Sequence, residues 1–310
     1  MRSTQRLGPD WTARWIAIPI GVAAISTSGV LIRLTQAPPL VTASNRLLWS
    51  AAILLLYSVL AAPRALRGVP PRELAWLAMS GMLLGLHFAL WTSSLFLTSV
   101  ASAVLLADTH PIVVAVIALL VLREATAGRV WLGIGLTLLG SATIAGGDVQ
   151  VGGRALLGDL MAVGASMTFA AYLVIGRHAR QRMAVTVYAG LVYALAGIVL
   201  TLLGVASGAD FADFSTRDVL LWAALVVAPT LGGHTVFNWT LRYLPVSVVG
   251  VAILGEPVGT TLLAWLVLGE PPRSTALLGG TIVIAGLLLT LTAKSKPPVI
   301  VGSEALAIIP

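Results

Sequence analysis

Glu256 is the residue best placed to do chemistry. It stands inside Gly250-Val-Ala-Ile-Leu-Gly255-Glu256-Pro257-Val-Gly259, in the middle of an apolar run. A charged side chain at a bilayer centre costs about 2.5–3.5 kcal/mol on insertion scales, so a carboxylate there needs a reason. Pro257 removes one backbone hydrogen bond and displaces the Ile253 carbonyl, while the glycines permit local unwinding. An acid beside a broken helix can bind a cationic group or release a proton as substrate enters. The competing role is a protonated side chain that only pins a neighbouring helix.

Asp108-Thr109-His110-Pro111 is a second polar break. Residues two apart point about 200° apart on a regular helix, so one of Asp108 and His110 faces a cavity and the other packs between helices, unless Pro111 distorts the turn. Asp108 joins Glu256 as a candidate proton-coupling group. His87, Trp91 and Ser94 share a helical face, and His234 shares one with Asn238. Neutral histidine titrates near physiological pH, which suits a proton relay or a polar cavity wall; a satisfied interhelical hydrogen bond is the alternative. Trp91 offers a cation–π or stacking surface, against the default of an aromatic belt. Arg46, after Asn45, either snorkels to the outer interface or holds a substrate carboxylate while Glu256 holds an ammonium, as a zwitterionic amino acid requires.

The elements that must position these groups follow from composition. The chain has 310 residues, 58% hydrophobic and 10% charged, with mean hydropathy +0.96. A soluble domain carries about 25% charged residues, so this chain could not cover its surface in water. A soluble enzyme, a nucleic-acid-binding domain and a disordered chain are excluded together. With no cysteine there is no disulfide, thiolate metal site or catalytic thiol. A spanning helix needs about 20 mostly apolar residues. Ten apolar segments are predicted, near 15–34, 40–62, 73–92, 99–122, 129–147, 156–176, 184–206, 218–240, 246–268 and 274–293. The first is too long for a signal-peptide core and has no obvious cleavage site after it, so it reads as a retained helix.

With the N-terminus inside, Arg2, Arg6, Arg14, Arg64, Arg67, Arg72, Arg123, Arg129, Arg177, Arg180, Arg182, Arg242, Lys294 and Lys296 fall on the inner side. Arg33, Arg46, Arg154, Arg217 and Arg273 fall to the outer half. The net charge of +7 thus reads as positive-inside bias, which places both termini in the cytoplasm. The stretch after Lys296 is too short to span and reads as a tail.

The chain also repeats itself. Ser99 to Glu124 reads SVASAVLLADTHPIVVAVIALLVLRE, and Pro245 to Glu270 reads PVSVVGVAILGEPVGTTLLAWLVLGE. At an offset of 146, Pro111 matches Pro257, Glu124 matches Glu270, Gly133 matches Gly279 and Gly140 matches Gly286. Upstream the offset is 147, pairing His87 with His234 and Phe96 with Tyr243. By the repeat, His110 is the counterpart of Glu256. Five spans per half is odd, so the second half must enter the membrane from the opposite side. The expected architecture is an all-α integral membrane protein of ten transmembrane helices in two inverted five-helix repeats, residues 1–147 and 148–296, with a tail at 297–310.

The stretch LHFALWTSSLFLTSVASAVLL, the Pro111/Glu124 and Pro257/Glu270 pairs and the ten-span plan resemble the EamA family of the drug/metabolite transporter superfamily. The resemblance covers nearly the whole chain. It implies two inverted five-helix bundles, with helices 3, 4, 8 and 9 bordering a central cavity. It also implies export of metabolites, as in the YddG-type amino-acid exporters. Asp108 and His110 depart from the uncharged pair usual at that place in the family.

Other features read as structural. Glu124 and Glu270 sit at span ends and suit pairing with Arg123, Arg129 or Arg273. Gly81-xxx-Gly85 and Gly255-xxx-Gly259 are helix-packing signals. Gly153-x-x-x-x-Gly158 is followed by Asp159 rather than Lys-Ser/Thr, so there is no P-loop. No metal-ligand spacing and no nucleophile–base set appears, and no cofactor is expected.

The expected function is a secondary exporter of small metabolites, foremost amino acids, in a cell inner membrane. Its partners are a small-molecule substrate, the lipid bilayer and candidate coupling protons, with no nucleic acid. The alternative is a proton-coupled antiporter of hydrophobic or quaternary-ammonium cations. A third reading, a non-transporting scaffold, predicts no ligand-dependent behaviour.

Overall fold

A computed structural model describes residues 11–67, 69–94, 97–98, 100–122, 126–145, 153–269, 271 and 274–292. The tail at 297–310, Glu124 and Glu270 lie outside them. The described residues are mostly helical, and no strand occurs among them. In chain order the helices are α1 (Trp11–Leu34), α2 (Pro39–Ala61), α3 (Pro63–Arg67), α4 (Pro71–Ser94), α5 (Val100–Ala107) and α6 (His110–Ile117). There follow α7 (Gly128–Ala145), α8 (Arg154–Arg180), α9 (Val185–Ala206), α10 (Thr216–Leu225), α11 (Thr235–Thr240), α12 (Val246–Ile253), α13 (Glu256–Leu268) and α14 (Ser274–Leu291). Two π-helical stretches, Ala118–Leu122 and Val226–His234, continue α6 and join α10 to α11.

Seven segments among the described residues are long and apolar enough to cross a membrane: Pro39–Ala61, Pro71–Ser94, Arg154–Arg180, Val185–Ala206, Thr216–Thr240, Val246–Val267 and Ser274–Leu291. The sequence predicts ten. The other three predicted spans hold shorter apolar helices, Ile16–Ile32, Leu105–Leu120 and Gly128–Ile144. These are the described apolar stretches of α1 (Trp11–Leu34), of the α5–α6 unit and of α7 (Gly128–Ala145).

Local chemistry sets the helix ends. Proline opens α2, α4 and the first turn of α6, where its missing N–H would be unpaired anyway. Ser215 caps α10 in a reciprocal capping box with Asp218. Asp218 also accepts hydrogen bonds from the Gln36 and Ala37 backbone N–H groups, at 2.7 and 3.3 Å, fastening the α1–α2 loop to α10. Glu73, in the first turn of α4, is buried and pairs with Arg182 in the α8–α9 loop at 2.8 Å.

The repeat is visible in the packing. α7 packs on α14 and α2 on α9. The contacts of α4 with α8 and α9 recur as those of the α10–π–α11 unit with α1 and α2. Gly133 meets Gly286 and Gly140 meets Gly279, so α7 and α14 run antiparallel. Each of these two contacts becomes the other when repeat-matched glycines are exchanged. Thr137 against Gly286 likewise becomes Val283 against Gly140, 146 residues on. A two-fold axis between antiparallel helices is the signature of inversion. The glycine signals are contact points too: Gly81 and Gly85 meet Leu195 and Val199 of α9, while Gly255 and Gly259 meet Val22 and Ser26 of α1.

The symmetry extends to both helix breaks and then fails. α5 gives way to α6 at Asp108–Thr109, and α12 to α13 at Leu254–Gly255, again 146 residues apart. The Leu254 and Gly255 N–H groups turn back to the Val251 and Ala252 carbonyls, at 3.1 Å each. Yet α6 packs on α12, whereas the counterpart pair, α13 and α5, has no comparable contact among the described residues. Similarly α8 packs along both α5 and α6, while α1 packs along α13 and barely along α12. Among the described residues, α6 and α12 thus pack together more closely than α5 and α13.

Candidate functional site

Phe169 of α8 is the hub of the centre. Its ring lies 4.6 Å from His87, 5.0 Å from His110, 5.7 Å from Tyr172 and 6.2 Å from His234, centroid to centroid. Phe88 of α4 stands 5.7 Å from His234 and carries the Arg46 guanidinium over its face at 5.0 Å. Three of the four histidines thus converge on one aromatic cluster. Each arrives from a different element: α4, α6 and the π stretch.

Arg46 lies inside the protein, 2% exposed, rather than snorkelling to an interface. Its Nε donates to Thr230 Oγ1 at 2.7 Å and its Nη1 to Ser28 Oγ at 3.0 Å. Nη2 is buried without a partner. The π stretch makes this cradle: Pro229 lacks an N–H, the turn widens, and Thr230 bonds back to the Leu225 carbonyl five residues earlier. A buried guanidinium with an unused donor is costly unless something negative completes it.

Glu256 opens α13 and is half-buried. Its backbone carbonyl accepts from Ser26 Oγ at 3.3 Å; its carboxylate has no hydrogen-bond partner among the described residues. It is near enough to Arg46 for the charges to attract, without forming an ion pair. Asp108 feels the same carboxylate but lies toward Ser141 of α7. Asp108 Oδ2 and Ser141 Oγ are both buried and unpartnered.

The remaining sequence candidates divide. His87 Nδ1 is 2.9 Å from the Ala165 carbonyl of α8. His110 is buried, with Nδ1 3.2 Å from the Ala107 carbonyl and Nε2 3.2 Å from the Gly250 carbonyl of α12. His234 makes ring contacts with Phe88 and Phe169 and no hydrogen bond among the described residues. Asn238 is buried, its amide shared between Tyr172 and Tyr193 at 2.6–3.2 Å. Trp91 packs at the edge of the main core, outside the ring contacts around Phe169. Among the described residues no three His, Asp or Glu side chains converge as metal ligands.

Sequence reading missed Phe88, Phe169, Tyr172, Tyr193, Thr230 and Ser28. Phe169 and Tyr172 are three apart on α8 and so share a face. Nothing in the one-dimensional pattern marks Thr230 as an arginine's partner.

Paired broken helices in a repeated apolar plan, with charged side chains at the centre, point to a membrane transporter. The chain belongs to the EamA-like transporter family, whose profile matches residues 14–146 and again residues 156–292. It is 25% identical over 231 residues to a protein of Synechocystis sp. described as an uncharacterized transporter, spanning 73% of this chain and 69% of that one. A crystal structure, described only as that of a protein, superposes with a TM-score of 0.77 at 19% identity. It covers 90% of this chain and 97% of the other, a likeness of fold.

Proposed function

We propose that the protein exports small metabolites, foremost amino acids, by alternating access between its inverted repeats. The repeats are residues 1–147 and 148–296, five spans each, in a cell inner membrane with both termini cytoplasmic. The observation that carries the substrate class is the pairing of Arg46 Nη2, buried without a partner, with the unpartnered Glu256 carboxylate. A zwitterion completes both at once: its carboxylate takes Arg46 Nη2 and its ammonium lies toward Glu256. Phe88 lies under the Arg46 guanidinium, and His87, Phe169 and His234 group around it. The splayed α5/α13 and closed α6/α12 pairs support alternating access, because exchanging the repeats would exchange the open face.

The alternative, efflux of hydrophobic cations, suits Glu256 and the aromatic walls. It conflicts with a guanidinium buried in the same cluster, which would repel a cation through a medium of low dielectric. The test is radiolabelled uptake into proteoliposomes across the twenty amino acids and choline, with and without a pH gradient. Flux of zwitterions is expected, with Arg46→Gln raising KM at least tenfold and Arg46→Lys raising it less. Full zwitterion transport by both Arg46 variants overturns the proposal. Choline flux abolished by Glu256→Gln, with Arg46→Gln harmless, establishes the cation antiporter.

A further inference from the structure

The closed face is held by one titratable side chain. His110 reaches from the helix break across to α12, and both of its ring nitrogens face carbonyls, those of Ala107 and Gly250. A neutral imidazole has one N–H, which is enough to donate to the Gly250 carbonyl across the seam. The Gly250 contact is the polar link across the α6·α12 seam, and the Pro111 and Val114 atoms nearest Gly250 close the apolar part of it.

The repeat assigns a counterpart to each member of this link. His110 corresponds to Glu256, and Gly250 to Val104, whose carbonyl lies in α5. In the exchanged conformation α5 and α13 would close as α6 and α12 do here. The Glu256 carboxyl would then face the Val104 carbonyl, two acceptors against one another. An ionised carboxylate cannot make that contact. A protonated one can, by donating its proton to the carbonyl, and a substrate ammonium lying between the two oxygens can serve instead.

We infer that His110 and Glu256 are symmetry-related latches of the two gates, and that the Glu256 gate closes only when the carboxylate carries either a proton or the substrate's ammonium. This rests on the alternating-access reading and deepens it. A site that reorients only with one cationic partner or the other, and holds one at a time, is a proton–zwitterion antiporter.

The groups that bear on each latch are few. From α4, His87 is near enough to His110 for their charges to interact. From α8 the neighbours are Phe169 and, through Thr109, Ser166, and α12 presents only the Gly250 carbonyl. Glu256 faces Arg46 of α2 and Asp108 of the α5–α6 break. From α1, among the described side chains, only Ser26 reaches its backbone, and no titratable group does.

Because the natural chain lacks cysteine, spin labels can be placed without background. Distances would be read in nanodiscs, without substrate, from a Leu120→Cys/Arg242→Cys pair at the closed face and a Leu97→Cys/Ser274→Cys pair at the splayed face. For the unsubstituted site, acidification from pH 8 to pH 5.5 should add a population with the first distance longer and the second shorter. Glu256→Gln, whose amide is a permanent donor, should show that population at pH 8 as well, at least threefold above the parent and independent of pH. Glu256→Asp should keep the pH dependence. His110→Phe, which removes the other latch, should raise the same population while leaving its dependence on Glu256 intact.

Distributions in Glu256→Gln identical to the parent at pH 8 would overturn the inference, as would a parent that does not respond to pH. Substrate binding is scored separately by amino-acid counterflow. Counterflow with pH-insensitive gating refutes the latch and spares the exporter. A pH-gated molecule that moves no amino acid retains the latch and refutes the substrate class.

Discussion

Gly140 and Gly279 let the α7 and α14 backbones touch across the two-fold axis, and that contact can be put to a quantitative test. A Cβ at Gly140 would stand 2.6 Å from the Gly279 carbonyl oxygen and 2.7 Å from the Val283 backbone N–H. These are backbone atoms and cannot rotate away. To bring 2.6 Å up to ordinary contact at 3.4 Å the helices must part by about 0.8 Å. Overpacking of this kind costs about 1–3 kcal/mol, offset by the gain of about 1 kcal/mol from replacing a helical glycine with alanine. Gly135, on the same helix with nothing within 4 Å of its Cβ position, gives that gain without the clash. Gly135→Ala should therefore stabilise and Gly140→Ala should destabilise, the two differing by about 1–3 kcal/mol. Gly279→Ala meets Gly140 oxygen at 2.5 Å, and the same separation relieves both clashes. The double substitution should then cost about 1 kcal/mol or more less than the sum of the singles. Reversible denaturant unfolding in mixed micelles, read by tryptophan fluorescence, supplies the four values. Equal effects at Gly135 and Gly140, or strictly additive costs at Gly140 and Gly279, would refute the inverted glycine contact.

Other predictions follow from the buried polar groups. Thr230→Val removes both the acceptor of Arg46 Nε and the hydroxyl bond to the Leu225 carbonyl, so the cost should be about 1–3 kcal/mol. Thr230→Ser should restore both stability and substrate KM in the uptake assay. Asp218→Ala removes the acceptor for Gln36, Ala37 and Ser215. It should lower stability by about 1–2 kcal/mol for the lost cap alone, with faster proteolysis of the α1–α2 loop. Arg182→Ala leaves the buried Glu73 carboxylate without its cation and should destabilise more than Glu73→Gln, which leaves no charge behind. Thermal unfolding of the two variants side by side decides it.

Much of the architecture was legible from the chain alone, for reasons that lie in the solvent. Lipid forces every backbone group to be satisfied within its own segment, so apolar runs must be helices. A 146-residue offset that pairs Pro111 with Pro257 and Gly133 with Gly279 carries the inversion by parity of span number. The breaks at Asp108–Thr109 and Leu254–Gly255 were announced by proline next to a polar residue. Span number was less legible, since hydropathy does not say where an apolar run stops being helical; seven of the ten predicted spans are long and apolar enough among the described residues.

The site was only half legible. Polarity in an apolar run singled out Glu256, His87, His110, His234 and Arg46, because an ionisable group in a membrane is costly wherever it points. Direction was the missing part. Whether Arg46 reached an interface or the interior depended on Thr230 and Ser28, 184 residues onward and 18 back along the chain. A π turn that no propensity encodes brought Thr230 within reach. Asn238, read as a substrate contact, spends its amide on Tyr172 and Tyr193 from two other helices. Sequence alone determined that this chain is a doubled, inverted set of membrane helices with charges at its centre. Which of those charges face one another, and which half-helices pack together, are properties of packing between segments far apart in the chain, and only the folded molecule decides them.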